Sequence, residues 1–367
     1  MADGQHLLGR PKEELDTPVL LLDLELFEAN LKHLAGFFRD HGTGWRPHSK
    51  AHKCPAIARM ELEAGALGIT CAKVSEAELL SRAGIGPLLI ANQIVTPTKL
   101  DRLAAIQERT EVISAMDHAA VLPLIAAAAA RAGTRIPVVV EIDVGMHRVG
   151  VQPGEPALAL AQQIARTPGL IFRGLMGYEG HVLMVQPYEA KVEACHQALD
   201  LLRESAELIR RHGLEVPILS AGGTGCYEIT GAYPGITEVQ AGGGIFMDGM
   251  YRDQCGVATL EYALTLLATV TSRAEHHVVL DAGFKAMSAF HHPPRPLRRQ
   301  DLKLRYLSAE HGVFEVLDGH AGPAIGEQIE LLVGYSDSTN YLHDRLLGLR
   351  QGRVERIFAI EGRGLLT

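Results

Sequence analysis

Residues 136–142 read Ile-Pro-Val-Val-Val-Glu-Ile, a run of mostly β-branched residues with a carboxylate near its end. A continuous apolar run of this kind suits a strand covered on both faces, as in a parallel sheet wrapped by helices. Helical patterns flank it at Ala119–Arg131 and Ala157–Arg166. Similar short runs recur toward the N-terminus at Gly44–Pro47, Gly68–Cys71, Leu88–Ala91 and Glu111–Ser114. They recur toward the C-terminus at Ile171–Gly177, Pro217–Ser220 and Thr237–Ala241. Helical stretches at Pro55–Ala64, Val74–Ala83, Pro97–Glu108 and Tyr188–His212 separate most of them. Eight strands alternating with helices predict an α/β fold, a closed (β/α)8 barrel. A doubly wound open sheet is the competing arrangement.

A strand at Thr17–Leu24 and a helix at Glu25–Phe38 precede this alternation. After residue 262 the texture changes. Val270, Val278–Leu280, Phe314–Val316, Gln328–Val333 and Val354–Ala359 look like short strands, and Pro293, Pro294 and Pro296 mark a basic loop. The expected division is a barrel over 25–262 and a smaller β-rich domain over 263–367 joined by the strand at 16–24. The polar first fifteen residues are expected to be loosely held.

The bulk numbers exclude several classes. The chain has 367 residues, 47% apolar and 21% charged, which is enough for two folded domains. Its 35 basic and 43 acidic residues give a net charge of -8, so nucleic acid is not an expected partner. Cys54, Cys71, Cys195, Cys226 and Cys255 match neither a zinc knuckle nor a disulfide framework, and read as reduced thiols. The first residues carry no signal-peptide pattern, and no apolar run reaches the roughly 18 residues of a membrane helix. A cytoplasmic protein without a membrane partner is expected.

The densest chemical signal is Arg46-Pro-His-Ser-Lys50-Ala-His-Lys-Cys54, at the end of the first barrel strand. Catalytic groups of such barrels sit at these strand ends. A lysine there, lowered in pKa by neighbouring cations, can form a Schiff base; a solvated basic loop is the competing reading. Gly222-Gly-Thr-Gly225 and Gly242-Gly-Gly244 follow the last two strands, where backbone N–H groups can approach phosphate oxygens and the Thr224 hydroxyl can assist. Tight turns without a ligand would also use glycine. Asp143 and Arg148 follow the fifth strand, and Arg148 can donate to a phenolate or a carboxylate, or form a surface pair. Tyr178 and His181 follow the sixth. Tyr178 can support a ring or a phosphate, and His181 can move a proton near neutral pH. The C-terminal region offers Asp281, His311, Tyr335, Asp337, His343 and Asp344; its His and carboxylate groups could bind Mn, Mg or Zn, with solvated surface groups as the competing reading.

Taken in order, several strings resemble the family of D-threonine aldolases and eukaryotic-type D-serine dehydratases, pyridoxal-phosphate enzymes of the alanine racemase fold. They are DTP at 16–18, RPHSKAHKCP at 46–55, KVSEAE at 73–78, EIDVG at 141–145, AGGTG at 221–225, EVQAGGGIFMD at 238–248, DAGFK at 281–285, EHG at 310–312 and LHD at 342–344. The resemblance runs from about Asp16 to Gly364. It implies a barrel with an added β domain, usually a homodimer, acting on a small amino acid. It assigns the Schiff base to Lys50 and places Arg148 by the cofactor's phenolic oxygen. It gathers Tyr178, Gly223, Thr224, Gly225, Gly242 and Gly243 around pyridoxal 5'-phosphate.

The resemblance also implies a divalent cation, held by a His and by a Cys or Asp two residues later, ahead of LHD. Asp337 fits the second position, but Tyr335 stands at the first, and a neutral phenol is a poor ligand. Either Asp337 holds Mn or Mg with other partners, or Tyr335 has a new task. Asp337 in place of Cys leans toward an aldolase that releases glycine and an aldehyde, with His181 or His52 taking the hydroxyl proton. A dehydratase giving ammonia and a 2-oxo acid is one alternative. A metal-independent racemase or epimerase using Tyr335 is the other. The basic stretch His291, His292, Arg295, Arg298 and Arg299 raises an acidic substrate such as 3-hydroxy-D-aspartate beside D-threonine.

Overall fold

Strands covered on both faces stay apolar along their length, and all eight predicted runs form strands in the computed structural model, which describes residues 4–367. The chain divides into a barrel unit of Leu34–Lys50, Ala58–Gly242 and Gly364–Thr367, and a β unit holding the residues up to His33, Ala51–Ile57 and Gly243–Arg363. The first strand, β1 (Val19–Asp23), belongs to the β unit. The next eight are β2 (Gly44–Trp45), β3 (Ile69–Cys71), β4 (Leu88–Ile90), β5 (Val112–Met116), β6 (Ile136–Ile142), β7 (Leu170–Gly177), β8 (Ile218–Ala221) and β9 (Glu238–Val239). They pair in parallel in the order β2-β9-β8-β7-β6-β5-β4-β3. A bridge between His48 and Thr70 joins the chain beyond β2 to β3 and closes the ring. Inside, Leu89, Ile113, Ala115, Val139, Met176 and Ile218 pack together.

Closure rests on a short strand. Beyond β2, Arg46 donates Nε and Nη2 to the two carboxylate oxygens of Glu238 on β9, each at 2.9 Å, with both side chains buried. The Trp45 indole donates to the Ala241 carbonyl at 2.8 Å, and the Thr70 hydroxyl to the Arg46 carbonyl at 3.1 Å.

The helices α1 (Leu24–Asp40), α2 (Pro55–Glu63), α3 (Val74–Arg82), α4 (Pro97–Ile106), α5 (Leu122–Ala132), α6 (Glu155–Arg166) and α7 (Tyr188–Arg211) follow the predicted stretches closely. The short α8 (Tyr227–Ala232) was not expected.

The β unit contains a nine-stranded sheet. Besides β1 it has β10 (Leu264–Arg273), β11 (His277–Leu280), β12 (Arg295–Pro296), β13 (Leu302–Leu307), β14 (Gly312–Val316), β15 (Gln328–Leu332), β16 (Arg345–Arg350) and β17 (Arg353–Ala359). β1 lies between β10, its antiparallel partner, and β16, its parallel one. Leu15, Leu21, Leu267, Leu347, Leu349 and Val354 form a core there. The N-terminal segment departs from expectation. Residues 1–3 lie outside the described residues, but Gln5–Leu7 and Lys12–Glu14 form 3-10 turns. The segment is fastened by backbone bonds from Gly9 to Val354 and from Lys12 to Gly352. Burial of Leu15 supplies the reason it is held.

Removing one member of a buried ion pair strands the other. Glu238→Leu should therefore cost about 3–5 kcal/mol in urea unfolding. The double change Arg46→Met, Glu238→Leu should recover most of that loss. A double variant as unstable as the single one would show that the pair is not what fastens the seam.

Candidate active site

In a parallel barrel all strands end on one rim, so residues just past each strand share a mouth. Lys50 sits there on a 3-10 turn, Ser49–Ala51, and its backbone N–H donates to His48 Nδ1 at 3.3 Å. His48 is packed closely against Gly242, past β9: a Cβ on Gly242 would stand 2.3 Å from the His48 carbonyl oxygen. No other residue fits at 242 without moving the strand end that carries Lys50.

Past β6, the Asp143 carboxylate is partly buried, and this burial opposes its ionisation. Hydrogen bonds from the His147 N–H and ring and from the Gly145 N–H outweigh it and hold the pKa below the usual range. Asp143 therefore pairs with His147 and orders this loop. Arg148 is left exposed, with its guanidinium carbon 5.6 Å from the centroid of the Tyr178 ring, a cation–π arrangement. The Tyr178 ring lies beside the glycine loop past β8, 3.2 Å from where a Cβ on Gly223 would stand. The His181 ring covers Gly145, its Nε2 2.8 Å from a Cβ position there. Thr224 and Gly225 continue the loop in a buried 3-10 turn. The barrel unit thus links Arg148 to Tyr178, Tyr178 to Gly223 and Lys50 to His48 and Gly242.

These groups fit pyridoxal phosphate. There is an amine at a strand end, a guanidinium beside an aromatic ring, and a glycine loop whose backbone can approach phosphate oxygens. Glu141, at the end of β6, adds a titrating group. Burial raises its pKa, while the 2.6 Å bond from Gln93 and the charge of Arg148 oppose the rise and Asp117 adds to it.

His52, Gly243, Tyr335 and Asp337 belong to the β unit. His52 is fully buried and its Nδ1 accepts the Cys54 N–H at 2.9 Å, which gives it a backbone-capping role. Gly243 packs on the Tyr251 ring. The short helix α9 (Ser336–Asn340) follows Tyr335. Its start is held by Asp248, whose Oδ2 accepts both the N–H and the hydroxyl of Ser336 at 2.8 Å. Burial pushes the Asp248 carboxyl up to about 7; the bonds from Ser336 and Tyr251 oppose this, and the charge of Asp337 adds to it. The Tyr335 hydroxyl donates to Asp337 Oδ2 at 2.9 Å. His343 does not join them; its Nε2 donates to the Ala286 carbonyl at 2.6 Å. The phenol thus engages one of the two Asp337 oxygens, and as a neutral group it is a weaker ligand than an imidazole for a hard divalent cation.

Three members of the basic stretch are already paired with acids. Arg295 and His292 converge on Asp253, and Arg299 grips Asp301 and Glu327. A fully buried carboxylate that the sequence reading passed over, Glu179, lies directly after Tyr178. Its signal was a lone acid inside an otherwise apolar and glycine-rich strand end.

Residues 22–249 match the family described as the alanine racemase N-terminal domain, and residues 263–349 a putative serine dehydratase domain. The chain is similar to a D-threonine aldolase of Arthrobacter sp., 40% identical over 97% of this chain and 95% of the relative. It is 33% identical to a 3-hydroxy-D-aspartate aldolase of Paracoccus denitrificans over 99% and 96% of the two chains. The crystal structure of D-threonine aldolase from Filomicrobium marinum superposes with a TM-score of 0.95 at 35% identity, covering 98% of this chain and 99% of the other.

Because Glu141 has a raised pKa in the folded state, the native protein holds its proton longer than the unfolded chain does. Stability then falls as pH rises from the unfolded value of about 4.3 through the folded one. In cofactor-free protein, Glu141→Gln should raise the melting temperature at pH 8 and change it little at pH 4. An equal effect at both would show that burial of this carboxyl carries no ionisation penalty.

Proposed function

Because the chain belongs to the family of the alanine racemase N-terminal domain, we propose that it is a pyridoxal-phosphate-dependent aldolase. It cleaves a D-β-hydroxy amino acid between Cα and Cβ to glycine and an aldehyde. The observation that carries this reading is Lys50, Arg148, Tyr178, His181 and two glycine loops past the strands of one barrel. The relatives named as aldolases, which the chain matches over nearly its whole length, support it. Bound pyridoxal phosphate supplies an electron sink for the bond that breaks. Lys50 provides the amine that holds it. Arg148, kept beside Tyr178, would donate to the cofactor's phenolic oxygen, and the Gly223–Gly225 loop with Gly242 would hold its phosphate. His181 takes the proton of the β-hydroxyl.

The substrate side chain is uncharged, of the D-threonine type, because Arg295 and Arg299 are already paired with Asp253, Asp301 and Glu327. No divalent cation is part of the proposal, because a phenol bonded to Oδ2 of Asp337 stands where the family pattern has an imidazole. A homodimer completes it, supported by the exposed rings of Phe284, Phe290, Tyr306 and Tyr341. A cytoplasmic location is supported by five buried cysteines without a disulfide; among the described residues no helix is long and apolar enough to cross a membrane.

The deciding experiment is turnover of a panel of D-β-hydroxy amino acids by the cofactor-loaded protein, with products identified by mass spectrometry. Glycine and an aldehyde are expected, with D-threonine preferred over 3-hydroxy-D-aspartate. Ammonia with a 2-oxo acid would identify a dehydratase, and α-proton exchange without cleavage a racemase. Lys50→Ala should abolish both turnover and the visible absorbance of the bound cofactor.

Chelation by EDTA should leave activity unchanged, and Tyr335→His should introduce a Mn-dependent stimulation. Activity lost on chelation and restored by Mn in the unmodified protein would overturn the cation-free part of the proposal.

A further inference from the structure

Behind the glycine loop past β8 lies a buried polar cluster that the proposed chemistry does not use. Glu179, 0% exposed, accepts the Gly222 N–H on Oε2 at 3.1 Å. Its Oε1 accepts the Thr230 hydroxyl and the Cys226 thiol, the latter at 3.1 Å, with Cys195 Sγ at 3.8 Å. Lys191 of α7, 1% exposed, donates Nζ to the Gly225 carbonyl at 2.5 Å. The loop is therefore gripped from its inner side at both ends, by a carboxylate on its first glycine and an amine on its last.

Among the described residues, Glu179, Cys195 and Cys226 are also the one group whose ligand atoms converge within 4.8 Å. Four donors already point at this carboxylate, however. The Cys226 thiol is held protonated, well above its usual range, by its contact with Cys195, by burial and by the charge of Glu179. These contacts make the cluster a hydrogen-bond hub around the carboxylate.

We propose that Glu179 and Lys191 are positioning residues of the phosphate loop, fixing the shape of the Gly222–Gly225 backbone before a phosphate arrives. This rests on the reading of that loop as the cofactor's phosphate site. A backbone cradle binds an anion tightly only if it need not reorganise to do so. Freeing the Gly222 amide or the Gly225 carbonyl lets the loop sample other shapes and adds an ordering cost that only the phosphate-bearing ligand feels.

The test compares pyridoxal 5'-phosphate with pyridoxal, which lacks the phosphate, as ligands of the full-length apoenzyme. Binding is followed by visible absorbance. Glu179→Gln should weaken pyridoxal 5'-phosphate roughly tenfold or more, the scale of a lost hydrogen bond to a charged group. Its affinity for pyridoxal, and turnover at saturating cofactor, should stay close to those of the unmodified protein. Equal weakening of both ligands would overturn the inference, since general damage to the barrel does not discriminate between them. An unmodified protein that binds both ligands equally would instead sink the phosphate-loop reading, and the inference with it. If Glu179→Gln does not fold, Lys191→Met carries the same comparison with the same expected selectivity. One equivalent of zinc bound by the unmodified protein and lost in Glu179→Gln would show a metal centre and overturn the hub.

Discussion

A ring of parallel strands holds only when its last strand finds its first, and here that meeting is made by the Arg46–Glu238 ion pair. β2 contributes two residues to the ladder, Gly44 opposite Glu238 and Trp45 opposite Val239. The backbone bonds of so short a strand are few. The bidentate guanidinium, the Trp45 indole and the bridge from His48 to Thr70 do the work that a longer strand would do elsewhere. The same few residues then deliver the amine. Lys50 is four residues beyond Arg46 and rests on His48, and His48 rests on Gly242. Closing the barrel and presenting Lys50 are therefore one constraint, which is why so much sequence specificity is crowded into residues 44–50.

The β unit shows how one substituted side chain changes what a motif can do. Asp248 organises the start of α9 and thereby fixes Tyr335 and Asp337 in a reproducible geometry. An imidazole at 335 would offer a lone pair to a cation; the phenol offers a proton to the carboxylate. The scaffold is retained, and the polarity of the interaction is reversed.

Much of the barrel was legible because its strands are buried on both faces and so read as apolar runs with no polar interruption. The β unit was harder. β13 buries only Leu302 and carries Lys303 and Arg305, so it shows no apolar run. β16 begins and ends on arginine, and only its centre is apolar. β10 was seen only around Val270, although its buried stretch begins at Leu264. Short helices such as α8 and α9 carry too few residues to display a period. Among candidate site residues, Lys50, Arg148 and Tyr178 were legible because their chemistry is unusual at a strand end. His52 drew notice for the same reason, and its burial and its bond to Cys54 could not be foreseen from residue types. Glu179 was missed because a single acid gives no pattern; only the convergence of Gly222, Thr230 and Cys226 upon it marks it out. The pairing of Arg295 was equally invisible, since its acidic partner Asp253 is remote in sequence.

The position of β1 has a consequence for how the protein is made. This strand leaves the ribosome before the barrel does, yet its two neighbours, β10 and β16, begin at Leu264 and Arg345. Its run of leucines must wait unpaired while the whole barrel is synthesised, and its parallel neighbour follows later still. Until then it is an exposed apolar edge of the kind that invites pairing with the wrong chain. The barrel is in effect an insertion within the β unit. The strands that follow the barrel determine whether β1 is ever sheltered, so a ribosome that stalls just beyond the barrel leaves behind a folded barrel beside a strand that has no home.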